Sequence, residues 1–302
     1  MSVSIVIPTY RREQVLLDSI RYLLGLHVPP AEILVVDQSE GHEAATADAL
    51  RAWDGEGKIR WIQLPQPSIT HAMNTGLQMA ANEIVLFLDD DIIPAPGLVA
   101  AHVAAHAEKL SNIVAGQVLQ PGEEVLPELP DGAEFLFRSG KRAWLRELMG
   151  GNFSVAKKTA MAIGGFDENF VRVAYRFEAE FCDRAISAGE KIMFEPSASI
   201  RHLRASAGGT RAYGEHLKTI KPSHSVGAYY FFLQARNIKG RFRQMLLRPL
   251  RAVRTRHHLR NPWWIPLTLV AELGGLLWAI SLIVRGPRLI QAETSKAKTA
   301  PL

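Results

Sequence analysis

The sequence predicts an α/β fold, a sheet flanked by helices, with a helical C-terminal extension. Two observations set the first part: four short apolar or β-branched runs recur before residue 90, and segments of helical spacing separate them through short connections. A third sets the extension. After residue 202 strand-like runs cease, and a basic helical stripe leads into a long apolar run.

Residues 3–7, VSIVI, form the first strand, stopped by Pro8-Thr9-Tyr10. Over residues 12–24, Val15, Leu16, Ser19, Ile20, Leu23 and Leu24 share helical spacing, and Gly25 closes that helix. Residues 32–36, EILVV, form a second strand that delivers Asp37-Gln38-Ser39. A helix around 43–53 and a strand over 58–62 follow, a succession that makes a parallel sheet with covering helices. From Asn74 the chain reads NTGLQMAANEIVLFLDDDIIP. The 84–88 run is too short and too apolar for anything but a buried strand, and a helix precedes it. Gly150-Gly151-Asn152 then leads into a strand-like FSV, Gly164-Gly165-Phe166-Asp167 follows a helix, and SASIRH ends a strand at His202.

The 302 residues, 47% hydrophobic and 22% charged, suffice for a large α/β domain with an appendage and exclude a disordered chain. The single cysteine, Cys182, excludes an internal disulfide. Met1 leads straight into the first strand, so no signal peptide is expected. The net charge of +5 is local: nine of the 35 Lys and Arg lie between Arg236 and Arg260 with no Asp or Glu among them, and the remainder is net acidic. Nucleic acid is therefore not an expected partner, and no Gly-x-Gly-x-x-Gly follows the first strand, against a classical dinucleotide site.

Asp89, Asp90 and Asp91 stand at the carboxyl end of a strand, where open α/β sheets bind ligands. Adjacent carboxylates repel and persist where a cation joins them; Asp89 and Asp91, two apart in extended chain, point to one side. An isolated Asp-x-Asp is more often a solvated loop. The weight falls on the motifs around it.

Those motifs, VSIVIPTYRR, EILVVDQS, NTGLQMAANEIVLFLDDDIIP, GGNFSVAKKTAMAIGGFDENF and FEAEFCDRAISAGEKIMFEPSASIRH, occur in one order from about residue 2 to 202. Together they resemble the family 2 glycosyltransferases of GT-A fold. The resemblance implies a Rossmann-like mixed sheet flanked by helices over residues 1–204, with 1–98 binding a UDP-, GDP- or dTDP-linked sugar and 99–204 the acceptor. It places Pro8, Thr9, Tyr10, Asp37, Asn74, Asp89 and Asp90 at the donor, Asp37 reading the base edge. Asp91 and His202 would hold Mg²⁺ or Mn²⁺ against the diphosphate. Gly151, Asn152, Asp167 and Glu180 fall on the acceptor side, and residues 120–142 form a mobile loop shaping acceptor choice.

Two positions depart from the family pattern. Met73 stands where an arginine is common, so a basic donor contact would come from Arg11, Arg12 or His71. The acceptor motif reads Phe177-Glu178-Ala179-Glu180, which puts Glu178 at the general-base position; its alternative role is a helix-start carboxylate facing the macrodipole. The enzymatic alternative is another nucleotide-sugar enzyme such as a nucleotidyltransferase, and the non-enzymatic one a sugar-nucleotide-binding or membrane scaffold protein with a decayed site.

Residues 205–261 read as a loop able to fold over donor, then a basic amphipathic helix with its stripe from Phe231 to Val253. Residues 262–302 hold an apolar helix and a polar tail. The uninterrupted run 267–284 is roughly 27 Å as a helix, with Trp263-Trp264 at one end and Arg285 and Arg288 at the other. Thr268, Glu272, Gly275 and Ala279 share a face suited to packing on protein. A spanning helix, one lying in the interface, and one buried in a homodimer all fit. Membrane association at the cytoplasmic face would bring a lipid-linked or glycan acceptor to the cleft.

Overall fold

The computed structural model describes residues 1–128, 133–214 and 216–291; residues 292–302 of the polar tail, and residues 129–132 of the 120–142 loop, lie outside the described residues. In chain order the elements are β1 (Val3–Thr9), α1 (Gln14–Leu24), β2 (Glu32–Asp37), α2 (Ala44–Gly55), β3 (Arg60–Gln63), α3 (Ile69–Met79), β4 (Ile84–Leu88), β5 (Ile92–Pro94), α4 (Leu98–Ala107), β6 (Ile113–Leu119), β7 (Ala143–Leu145), β8 (Asn152–Ala156), α5 (Lys157–Ala162), α6 (Phe177–Ser187) and β9 (Ile192–His202). Three short 3₁₀ turns lead to α7 (Val226–Gln234), α8 (Arg241–Val253), α9 (Arg256–Arg260) and α10 (Trp264–Arg285).

One mixed sheet runs β3-β2-β1-β4-β8-β6-β9-β5, with β7 on β9. The first four strands are parallel, and β8 enters antiparallel to both β4 and β6. The strand order reverses beside β1, and that switch point opens a crevice beyond the carboxyl ends of β1 and β4. β1 and β4 are buried nearly throughout because helices cover both faces, which is why their sequences do not alternate. Leu16, Ile20 and Leu23 of α1 fill one layer; Met73 and Leu77 of α3, Phe181 of α6 and Tyr229 to Phe231 of α7 fill the other.

The C-terminal part differs from expectation in two ways. The stripe from Phe231 to Val253 is two helices, not one: α7 ends at Gln234, and Gly240, at φ 67°, starts α8 from a left-handed conformation that a side chain would disfavour. Residues 205–261 are also not all appendage, because Tyr229, Tyr230 and Phe231 are at most 2% exposed within the main core. The shared face of α10 does pack on protein. Thr268, Glu272, Gly275 and Ala279 are buried, the Tyr229 hydroxyl donates to Glu272 at 2.8 Å, and Arg248 Nε lies 3.0 Å from the same carboxylate.

Candidate active site

The sheet register assembles the site. Pairing of Leu88 with Asn152 puts Gly151 beside Asp89, and the Gly151 carbonyl accepts from the Asp89 N–H at 3.2 Å. Pairing of Ile92 with His202 puts the histidine beside Asp91. His202 Nε2 then stands 3.1 Å from Asp91 Oδ1 and 3.7 Å from Asp89 Oδ2, and the ligand atoms of the three residues lie within 4.8 Å of one another. The Asp89 side chain keeps 42% of its exposure and the Asp91 side chain 2%, so Asp89 faces the cleft while Asp91 forms its floor.

The cleft has a volume of about 520 Å³ and is lined by Pro8, Thr9, Tyr10, Asp89, Gly151 and Glu178, among others. Burial and the neighbouring Asp91 push the Asp89 carboxyl up, against the pull of His202. Burial opposes the Asp91 charge too, but hydrogen bonds from His202 and the Ala205 N–H outweigh it and hold Asp91 below the usual range. Two carboxylates and an imidazole form a donor set suited to a divalent cation. The second imidazole nitrogen is already held, with His202 Nδ1 3.1 Å from Gln120 Oε1, which leaves Nε2 turned to the aspartates.

Glu178 rises from the first turn of α6 into the cleft wall, and among the described contacts its carboxyl takes no hydrogen bond from another residue. Burial pushes its carboxyl up to about 7, and the charge of Asp89 adds to the rise. A carboxyl that titrates near neutrality in a cleft is suited to move a proton. Both carboxylates stand over consecutive glycines. A Cβ on Gly150 would meet Glu178 Oε1 at 2.8 Å, and one on Gly151 would meet Asp89 Oδ2 at 2.1 Å. Gly151→Ala is therefore expected to displace Asp89 and lower kcat/KM about 10²-fold, as an ångström-scale misplacement does, with little change in Tm. Unaltered kinetics in that variant would show that the Asp89 position is not critical.

Several expected site residues are committed elsewhere. Asp37 is 0% exposed; it accepts from the Ser39 N–H and Trp61 Nε1 and lies 2.8 Å from His42 Nε2. Asn74 bonds the Phe166 backbone in both directions, tying α3 to the glycine turn and not lining the cleft. Asp90 lines the cleft floor at 6% exposure, where Arg12 Nε (3.0 Å) and the Thr9 hydroxyl (2.7 Å) take its two oxygens. On the acceptor side, Asn152 donates to the carbonyls of Gln117 and Ala198, Asp167 accepts from the Tyr230 hydroxyl and the Arg288 N–H, and Glu180 is paired with Arg184. These are buried polar groups whose partners hold the walls in place.

The proposed substitutes for the missing arginine are committed as well: Arg11 pairs with Glu40, Arg12 with Asp90 and Asp91, and His71 lies against Glu168. Beside Arg12, which lines the cleft while paired, residues 171–176 bring two more cations to it, and Arg172, Ala174 and Arg176 all have positive φ. Arg176 pairs with Glu147, and Arg172 has no carboxylate partner among the described ion pairs. Nothing in their spacing marks them, since an arginine in a loop carries no periodicity. The loop after β9 already folds back: Tyr213 stacks on Tyr10 with ring centroids 6.1 Å apart, and Arg12 reaches the carbonyls of Ala205 and Ala207. Phe177 is 6% exposed and packs against Phe166, a core residue where the family pattern has a polar one.

A crevice at the switch point of such a sheet, holding two aspartates, a histidine and a half-buried glutamate, is the arrangement of a GT-A fold. Residues 4–165 match the family profile described as glycosyl transferase family 2, more than half of the chain, and the chain belongs to that family. It is 28% identical over 106 residues to validoxylamine A glucosyltransferase of Streptomyces hygroscopicus subsp. limoneus, covering 34% of this chain and 23% of that protein. It is also 28% identical over 121 residues to the uncharacterized glycosyltransferase YfnE of Bacillus subtilis (strain 168), covering 38% and 30%. The chain thus spans less than a third of the length of these relatives. Among solved structures, the mannosyltransferase PcManGT from Pyrobaculum calidifontis in complex with GDP-Man and Mn²⁺ superposes with a TM-score of 0.57 at 19% identity, covering 94% of this chain and 79% of that one. S. aureus TarS 1-349 in complex with UDP-GlcNAc gives 0.58 at 15% identity, covering 93% and 82%.

Proposed function

We propose that the chain transfers a sugar from a nucleotide donor to an acceptor hydroxyl with inversion. The observation that carries this reading is the grouping of Asp89, Asp91 and His202 with Glu178 in one cleft. Asp89, Asp91 and His202 fit Mg²⁺ or Mn²⁺, as the Mn²⁺ of the PcManGT complex also suggests. When bound, the ion supplies Lewis-acid stabilisation to the departing nucleoside diphosphate.

The chain's own residues divide the remaining work. Pro8, Thr9 and Tyr10 line the donor end, with Tyr213 stacked on Tyr10 as a cover. Arg172, the cleft cation without a carboxylate partner, takes the diphosphate contact that Met73 does not offer. Glu178 accepts the proton of the acceptor hydroxyl as that oxygen attacks the anomeric carbon in line, and the Gly150-Gly151 backbone admits the sugar close to both carboxylates. The acceptor is lipid-linked or a glycan precursor, reached from the cytoplasmic face of the membrane; the exposed apolar side of α10 supports the membrane association.

The test is release of nucleoside diphosphate from a panel of UDP-, GDP- and dTDP-sugars by the full chain, with and without Mn²⁺ or Mg²⁺. Metal-dependent release from one donor class is the expected result. No release from any donor, with or without extracted membrane lipid as acceptor, would leave a binding or scaffold protein. Arg172→Ala is expected to raise the donor KM about tenfold, the loss of one charge-assisted contact, with kcat little changed; an unchanged KM removes Arg172 from the donor site.

A further inference from the structure

We propose that the α8–α10 face docks in the plane of an anionic lipid leaflet, with α10 lying along the headgroup boundary and not crossing the bilayer. This deepens the membrane reading above and rests on it. At 22 residues α10 is ~33 Å long, enough to span. One whole side of it is nevertheless committed to its own domain. Thr268, Ala271, Glu272, Gly275, Ala279 and Leu282 are buried from the first turn to the last, against α7, which is itself part of the core. Midway, Glu272 is held by Tyr229 and Arg248, and the Ser225 hydroxyl donates to the Ala271 carbonyl at 3.1 Å. Beyond the helix, Asn169 donates to the Gly286 carbonyl and the Arg288 N–H donates to Asp167. Moving α10 across a bilayer would strip these partners and leave a carboxylate in hydrocarbon.

The opposite side is apolar and open. Val270, Leu273, Leu277, Ile280 and Val284 recur at three- or four-residue spacing and are 44–82% exposed. Phe242, Leu246 and Leu250 of α8 add a second stripe at 53–73%, and Trp263 adds an indole at 63%. Around them Arg243, Arg251, Arg254, Arg256 and Arg260 are exposed, and no acid lies between residues 236 and 260. Apolar stripes bordered by unopposed guanidinium groups match the headgroup region of an anionic leaflet. A second copy of the same face would set arginine against arginine.

The surface also adjoins the cleft. Arg172, on the cleft rim, lies over the Trp278 ring of α10 at 6.0 Å, and Arg248 of α8 lies over Tyr175 at 6.0 Å. In-plane docking therefore brings the cleft rim to the depth of the headgroups.

The test uses the full chain with vesicles of phosphatidylcholine, with and without phosphatidylglycerol, read by flotation. Strong partitioning only into the anionic vesicles is expected. The combined variant R243Q/R251Q/R254Q should weaken it about 10²-fold, near fivefold per arginine. Leu246→Glu with Leu277→Glu should abolish it at unchanged Tm and unchanged nucleoside diphosphate release. For topology, Cys182 is buried and silent, so single cysteines at Leu259→Cys and Arg285→Cys, flanking α10, can be probed with a membrane-impermeant maleimide on sealed membrane vesicles. Labelling of both from the same side is expected. Labelling from opposite sides shows a spanning helix and overturns the in-plane arrangement while keeping the membrane reading. Equal binding to neutral vesicles overturns the anionic partner, and no binding to either, with the protein a soluble dimer, overturns the membrane reading itself.

Discussion

Glu178→Gln is expected to lower kcat by ~10²–10⁴-fold, the range of a lost general base, with donor affinity nearly unchanged. The amide keeps the shape that rests on Gly150 but cannot take a proton. Because burial pushes Glu178 up to about 7, the wild-type kcat should rise with pH through that value as the base ionises, and the variant should lose that limb. Stability should move the other way. A carboxyl with its folded pKa above the unfolded value binds its proton more tightly when folded. Its charge therefore costs stability increasingly as pH rises from about 4.5 to about 7, and fully above that. At ~1.4 kcal/mol per pKa unit, and discounting for solvent in the cleft, Glu178→Gln should gain roughly 1–2 kcal/mol at pH 8 and nothing at pH 4. Thermal melts at the two pH values, beside the pH–rate profile, decide this. A lower Tm at pH 8 together with weakened donor binding would make Glu178 a structural or donor-binding residue, and retained turnover would move the base role to another group.

What the sequence could show was governed by periodicity. Strands such as β1 and β4 and helix α1 carry runs or stripes long enough to read, and their observed bounds differ by a residue or two from those expected. The break between α7 and α8 was not legible, because Phe231 to Val253 keeps a helical stripe across a left-handed Gly240 that interrupts no apolar position. The site divides in the same manner. Asp89, Asp91 and His202 converge because the strand register brings them together, Glu178 reaches the same cleft from α6, and motif order carried that information. Asp37, Asn74, Asn152, Asp167 and Glu180 share the same motifs yet serve the walls, since a sequence shows a polar group but not which side of a buried strand or turn completes its hydrogen bonds. Arg12 is the reverse case: a residue beside the Pro-Thr-Tyr stop, weighed as a donor contact, lines the cleft but is paired with Asp90 and Asp91. The Arg172 and Tyr213 contributions depend on loops returning from far along the chain, and no local pattern announces them.

Asp91→Asn is expected to reduce kcat/KM by ~10³-fold or more, several kcal/mol of lost charge stabilisation, and to abolish the Mn²⁺ dependence of donor binding. The substitution replaces a carboxylate oxygen 3.1 Å from His202 Nε2 by an amide, removing one anionic ligand from a set of three. Asp91 is not a surface group, however. It is 1% exposed, its Oδ2 accepts from the Ala205 N–H at 2.7 Å, and Arg12 lies 3.5 Å away, so the variant should also loosen the loop behind β9. Loss of activity alone would not separate ligand from scaffold. Asp90→Asn supplies the comparison: it makes the same change of charge one residue away, at a position equally tied to Arg12 but turned away from His202. Asp90→Asn should keep the wild-type dependence of donor binding on Mn²⁺ concentration, read by calorimetric titration of nucleotide sugar beside the Tm of both variants. If activity and Mn²⁺ response decline in both variants in step with Tm, Asp91 is a structural carboxylate and the metal assignment fails. If only Asp91→Asn loses the Mn²⁺ response, the cation sits where Asp89, Asp91 and His202 converge.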